Sequence, residues 1–213
     1  MLERKTPANL FFGKWQDGTG YEEAVLKALT YCSMILVGSV GKGVFSQVKL
    51  KWNVVPLVKD KLSSESIDKE LSASQGNVCV LLIPESRSFP AFDGFLWDDG
   101  FLWDGSQWYP LQVTISSTKQ LKPDLLKAFW NKHCKLLGGT KLHWYCVLPP
   151  SKAIRKIACP YDKDAGDVDW ARNNVEQFVI PFPRPDDPPH GFTNEQVNTL
   201  AQMKHDMFSR CRK

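Results

Sequence analysis

Three stretches in the middle of the chain decide how its fold is read: NVCVLLIP (77–84), PAFDGFLW (90–97) and WYPLQVTIS (108–116). The first is an unbroken apolar run, rich in β-branched residues and of the length of a buried strand. The other two mix aromatic and β-branched residues and are separated by polar turn residues, which predicts two further strands. Immediately downstream, KPDLLKAFWNKHCKLLGG (122–139) sets Leu125, Phe129, Leu136 and Leu137 on one stripe. Lys127, Asn131 and Lys135 form an outer row, and Gly138 and Gly139 are its stop. That pattern predicts an amphipathic helix. KLHWYCVLPP (141–150) then reads as a strand ended by prolines.

Working outward, GYEEAVLKALTYCSMILV (20–37) places Tyr21, Val25, Ala28, Leu29, Cys32 and Leu36 at spacings of three and four. This predicts a core-facing helix over 20–37, stopped at Gly38. VFSQVKLKWNVV (44–55) alternates as a strand does, and SSESIDKELSAS (63–74) reads as a short polar helix or loop. The proline-rich VEQFVIPFPRPDDPPHGFTNEQ (175–196) predicts a final strand and an extended loop. The last segment opens with a cap-like T-N-E-Q and carries Val197, Leu200, Met203 and Met207 at helical spacing. The order of helix, several strands, helix and strand indicates a mixed α/β domain with a crossover helix on the sheet. The expected organisation is one domain over 1–192, its core at about 18–150, with a helix over 193–213 packed on it.

Composition agrees with a single globular unit: of 213 residues, 43% are hydrophobic and 23% charged, ample for a real core. No stretch reaches the roughly 18–20 apolar residues of a membrane helix, and the basic start MLERKTPANLFFGKW lacks the apolar region of a secretory signal. The six cysteines (Cys32, Cys79, Cys134, Cys146, Cys159 and Cys211) form no C-x-x-C pair. They read as reduced thiols, several of them in apolar runs. GSVGKG (38–43) lacks the remaining positions of a phosphate loop and reads as a turn.

Net charge is only +4, but its distribution is uneven. Glu85, Asp93, Asp98, Asp99 and Asp104 crowd one segment against Arg87 alone, and the stretch from Lys119 to Lys163 is dominated by lysine. Carboxylates suit Mg²⁺ and lysines suit a phosphate backbone, so the pair of segments suggests a cation site beside a polyanion surface. Within the acidic segment DGFLWD occurs twice in tandem, at 93–98 and 99–104. Asp93 and Asp99 therefore occupy equivalent places, and Trp97 and Trp103 are the tryptophans most suited to substrate contact. His133 and His143 read as packed or boundary residues.

Gln112 and Thr114, two apart on a strand, share a face, and a hairpin neighbour brings Asp93 towards them. Glu22 flanks the apolar stripe of its helix, whereas Glu23 points away from it. Glu22, Asp93 and Gln112 would together make an oxygen-rich pocket suited to Mg²⁺ or Mn²⁺.

LLIPESRSFPAFDGFLW followed by WYPLQVTISSTKQLK resembles the C-terminal domains of Crinkler and retrotransposon-hot-spot (RHS) proteins, a restriction-endonuclease-like branch of the PD-(D/E)xK nuclease superfamily. The similarity runs over about residues 18–150. It rests on Pro90 to Asp93, on Gln112 to Ser116, on the helix from Lys122 to Leu137, on LHWYCVLP, and on Tyr21 and Glu22 in the first helix. The resemblance implies an αβββαβ core with a mixed sheet flanked by helices. It implies a secreted effector acting inside a host cell, in the nucleus, by metal-dependent hydrolysis of DNA, often with cell death. Glu22, Asp93 and Gln112 would hold the metal, with Asp99 the competitor of Asp93. Gln112 and Thr114 replace the family's carboxylate and lysine, and Lys119 or Lys122 would restore a cation near the phosphate. Lys119, Lys122, Lys127 and Lys135 would line the nucleic acid. The same two replacements support an alternative, a catalytically inactive domain of this fold that binds nucleic acid or a host protein.

Overall fold

The computed structural model describes residues 22, 25, 26, 28–40, 44–49, 52–57, 79–84, 92–99, 106–115, 120–137, 141–153, 161–162, 166–183 and 189–210. The protein is a mixed α/β chain built on a mixed sheet. Its strands are β1 (Met34–Ser39), β2 (Phe45–Lys49), β3 (Trp52–Leu57), β4 (Cys79–Pro84), β5 (Gly94–Asp99), β6 (Ser106–Val113), β7 (Leu142–Leu148) and β8 (Val175–Pro181). The helices are α1 (Pro123–Leu137), the single turn α2 (Pro150–Ala153), α3 (Val168–Asn174) and α4 (Asn194–Arg210). A further helix contains residues 22, 25, 26, 28 and 29.

The three deciding stretches form β4, β5 and β6, joined as an antiparallel meander. The helix expected over 122–139 is α1, which crosses over so that β7 lies parallel to β6, and β8 in turn lies parallel to β7. The order across the sheet is β2-β1-β8-β7-β6-β5-β4-β3. The two outermost strands are only residues 50 and 51 apart in sequence, a reach of roughly 11 Å. A flat sheet of this order would set its edges about 34 Å apart. The sheet therefore coils back on itself, and the run 44–55, expected as one strand, is two: its first half pairs with β1 and its second half with β4.

The helix expected to run to residue 37 is also shorter. It gives way to a turn at residues 30 and 31, and MILV continues as β1. The stop is tertiary. Asp206 of α4 accepts hydrogen bonds from the Ser33 backbone N–H (3.1 Å) and the Ser33 hydroxyl (2.8 Å), holding the chain extended where another helical turn would begin. The periodic stripe is buried nonetheless, with Val25, Ala28, Leu29, Cys32 and Leu36 fully covered. Gly38 is not a helix stop but a strand residue opposite Phe45, where a Cβ would lie 2.6 Å from the ring.

Side chains alternate across the sheet and divide the core in two. Tyr109, Leu111, Val113, Tyr145, Val147 and Phe178 face a first core closed by the N-terminal helix and by Leu200 and Met203 of α4. Trp144, Cys146, Leu148 and Val179 face a second, closed by Leu126 of α1 and Ala171 of α3. On α1 the deepest residue is Leu126, while Leu125 and Phe129 are half-buried, so the inner stripe is rotated from the one expected. The core also extends past residue 150. Helix α3 has no counterpart among the expected elements, and β8 stands between β1 and β7 with its last four residues buried.

The C-terminal helix forms as expected. Thr193 Oγ1 accepts from Gln196 N–H (3.3 Å) and Gln196 Oε1 accepts from Thr193 N–H (3.0 Å), a reciprocal cap. The helix packs on β1, and Gln196 donates to the Phe45 carbonyl of β2 (3.2 Å). Cys32 and Cys146 are buried free thiols; the other four cysteine side chains and the 63–74 segment lie outside the described residues. Among the described residues no helix is long and apolar enough to cross a membrane.

Candidate functional site

Asp93 immediately precedes β5, and its neighbour Gly94 pairs with Leu111. Asp93 itself sits in the bend that leads into the strand, beside the end of β6. Its side chain meets that of Gln112: Gln112 Nε2 donates to Asp93 Oδ2, and the Val113 backbone N–H donates to the same oxygen at 2.7 Å. The backbone closes the pair as well, since Asp93 N–H donates to the Leu111 carbonyl at 2.9 Å. Asp93 is half-buried and Gln112 only 4% exposed. A buried amide needs a partner, and the carboxylate supplies it.

This pair lies on the face of the sheet that carries the second core. Gln112 is in register with Cys146, and its strand neighbours Leu111 and Val113 point to the first core. Phe92, one residue before Asp93, is buried against Phe129 of α1, with ring centroids 4.6 Å apart. The lysine-bearing helix therefore covers the same face as the Asp93–Gln112 pair. Thr114 is buried just past the end of β6, where its backbone N–H donates to the Val147 carbonyl at 3.0 Å. It carries no charge to the site.

Other residues of the expected constellation are carried by different elements. The helix of Glu22 buries Val25, Leu26, Ala28 and Leu29 in the first core, so it packs on the opposite face of the sheet from Gln112. Glu22 itself is half-buried. Among the described residues no three histidine, cysteine, aspartate or glutamate side chains form a group able to hold a metal. Lys127 is turned to protein: its ammonium pairs with Asp167, which caps α3 from a left-handed backbone position at φ 66°. That pairing, which sequence could not show because α3 was unforeseen, competes with the phosphate contact expected of Lys127. Lys122, at the threshold of α1, is exposed. Lys119, Trp103 and the side chains of Asp99, Lys135, Trp97 and His133 lie outside the described residues.

The donor set that is assembled, one carboxylate and one amide, fits a hydrated Mg²⁺ or Mn²⁺, which commonly takes one or two protein oxygens and keeps water and phosphate in its other positions. It requires the Gln112 amide to turn its oxygen towards the cation, leaving the Val113 N–H to hold the carboxylate.

A second cluster, on the first-core face, is a packing feature. His143 stacks on Tyr109 (6.0 Å, 4°) and meets Phe178 edge-on, while its Nε2 lies 3.6 Å from Glu176. Burial lowers its pKa, with Glu176 opposing that shift, so the ring behaves as the packed residue the sequence suggested. Comparisons with protein-family models, with curated proteins and with solved structures found no match to this chain.

Proposed function

We propose that this protein is a restriction-endonuclease-like nuclease that hydrolyses phosphodiesters of DNA with the aid of Mg²⁺ or Mn²⁺. The observation that carries the reading is the meeting of Asp93 and Gln112 across β5 and β6, beneath the lysine-bearing α1. It is supported by the chain order around it: the β4–β5–β6 meander, a crossover helix and the parallel strand β7. That is the βββαβ part of the αβββαβ order that the resemblance to Crinkler and retrotransposon-hot-spot domains implies, while β1, β2 and β3 stand between the first helix and the meander. Delivery into a host cell and action in its nucleus belong to the same proposal.

In this reading Asp93 and Gln112 hold the cation, which when bound polarises a phosphate oxygen and makes water a better nucleophile. Val113 N–H fixes the Asp93 carboxylate against the strand. Lys122 offers an exposed ammonium for the phosphate backbone, while Lys127 is drawn off by Asp167. Hydrolysis adds water to phosphorus and breaks the bond to the leaving ester oxygen. Thr114 cannot supply the charge that a lysine would bring to that step, so the rate is expected to lie below that of an intact E-x-K site.

Two observations favour a second reading, a nucleic-acid- or host-protein-binding domain without catalysis. The helix that carries Glu22 buries its apolar stripe on the opposite face, and the strand presents Gln112 and Thr114 in place of charged residues. Purified protein incubated with supercoiled plasmid and Mg²⁺ or Mn²⁺ separates the two. Nicking abolished by Asp93→Ala together with Asp99→Ala supports hydrolysis at this site, and cutting that survives both changes rejects it. Retention of DNA without cutting selects the binding domain.

A further inference from the structure

The tandem DGFLWD enters the sheet through its first copy. Gly94–Asp99 pairs with Ser106–Leu111 on one side, and Phe95–Trp97 pairs with Val80–Leu82 on the other. Sliding the strand by six residues puts the second copy in the same place: Asp99 in the position of Asp93 beside Gln112, Phe101 opposite Pro110 and Asp104 opposite Gln107. Six is even, so every side chain keeps its face. The copies are identical, so β4 and β6 meet the same residues as before. What remains between Asp104 and Gln107 is Gly105-Ser106, a two-residue connection with glycine at its first position, the chemistry of a type II′ hairpin turn.

We propose that β5 has two registers six residues apart, each presenting an aspartate to Gln112, and that Phe92 selects the first. In the observed register Asp93 follows Phe92, which is 3% exposed and packed on Phe129. In the other register Asp99 follows Asp98, which sets a carboxylate at the place of that phenyl ring, an environment that penalises charge. The connections change in compensating directions. The one before β5 lengthens from residues 85–93 to residues 85–99, while the one after it contracts from residues 100–105 to the Gly-Ser pair. Loop closure depends only weakly on length, so these changes offset to within about tenfold in population. Phe92 is then the principal difference between the registers. The duplication thus supplies a second residue for the position of Asp93, whether or not that position cleaves anything.

Disulfide trapping in the full chain tests this. Phe95→Cys with Pro110→Cys reports the first register, and Phe101→Cys with Pro110→Cys reports the second; cross-links are assigned by peptide mass spectrometry. With Phe92 present, the first pair is expected to cross-link at least tenfold faster than the second. Phe92→Ala is expected to raise the second relative to the first by at least tenfold. A ratio unmoved by Phe92→Ala overturns the proposal. A shortened chain lacking residues 99–104 keeps Phe92, one copy and the Gly105-Ser106 connection, and so tests the geometry without altering the core. Cooperative unfolding at a midpoint no lower than that of the full chain is expected, and its loss overturns the proposal by itself.

Discussion

Asp93→Ala, made in an Asp99→Ala background so that the second copy cannot substitute, removes the acceptor shared by Gln112 and Val113. A hydrogen bond to an ionised group contributes roughly 1.5–3 kcal/mol, and a buried donor left alone costs about 1–3 kcal/mol. Asp93 is half-buried, so water partly replaces the carboxylate, and the two bonds together are expected to be worth about 2–3 kcal/mol. For a chain of this length that corresponds to a fall in Tm of about 5–10 °C. Gln112→Ala removes one of the two donors and should cost about 1 kcal/mol. Because both changes strike one interaction, the combined variant should be less destabilised than the sum by about 1–2 kcal/mol. Urea unfolding followed by circular dichroism measures all four corners of the cycle. Effects that add to within about 0.5 kcal/mol would show that the side chains do not meet.

Three further outcomes follow from the fold. Gly38→Ala sets a Cβ 2.6 Å from the Phe45 ring and 3.0 Å from the Val44 carbonyl, so it should cost about 1–3 kcal/mol in the same urea assay. Phe45→Ala should recover part of that loss. Thr193→Ala removes one half of the reciprocal cap of α4 and should lower stability by about 1 kcal/mol, while Thr193→Ser should be close to neutral. Burial, with Asp206 adding to it, pushes the Cys32 thiol up to about 12. The native state therefore retains a proton that the unfolded chain releases near its ordinary value, and this stabilising contribution should be lost as pH rises from about 9 to about 12. Thiol-reagent labelling resolved by peptide should find Cys32 unreactive at pH 8 until the protein unfolds.

The elements that sequence predicted well are those whose signal is local. The meander was readable from apolar runs broken by turn residues, α1 from its stripe, and α4 from a cap that Thr193 and Gln196 do form. The Asp93–Gln112 pair was readable for the same reason, since a hairpin neighbour and a two-residue period are enough to bring them together. What could not be read depends on distant partners. Met34–Val37 satisfies helical and strand patterns alike until Asp206, far along the chain, takes the Ser33 donors. Residues 44–55 alternate continuously, and only coiling of the sheet divides them between two neighbours. Glu22 flanks the apolar stripe of its helix, as a wheel shows, but no wheel says which face of the sheet that helix will cover. The occupation of Lys127 by Asp167 required knowing that α3 exists.

Whether Asp93 and Gln112 share a cation is read directly from anomalous scattering by a crystal soaked in Mn²⁺. A peak is expected at about 2.1 Å from the Asp93 carboxylate, with the Gln112 oxygen turned towards it. A Gln112 amide still donating to Asp93 with no peak beside the pair, or a Mn²⁺ ion bound only elsewhere, would contradict the shared site.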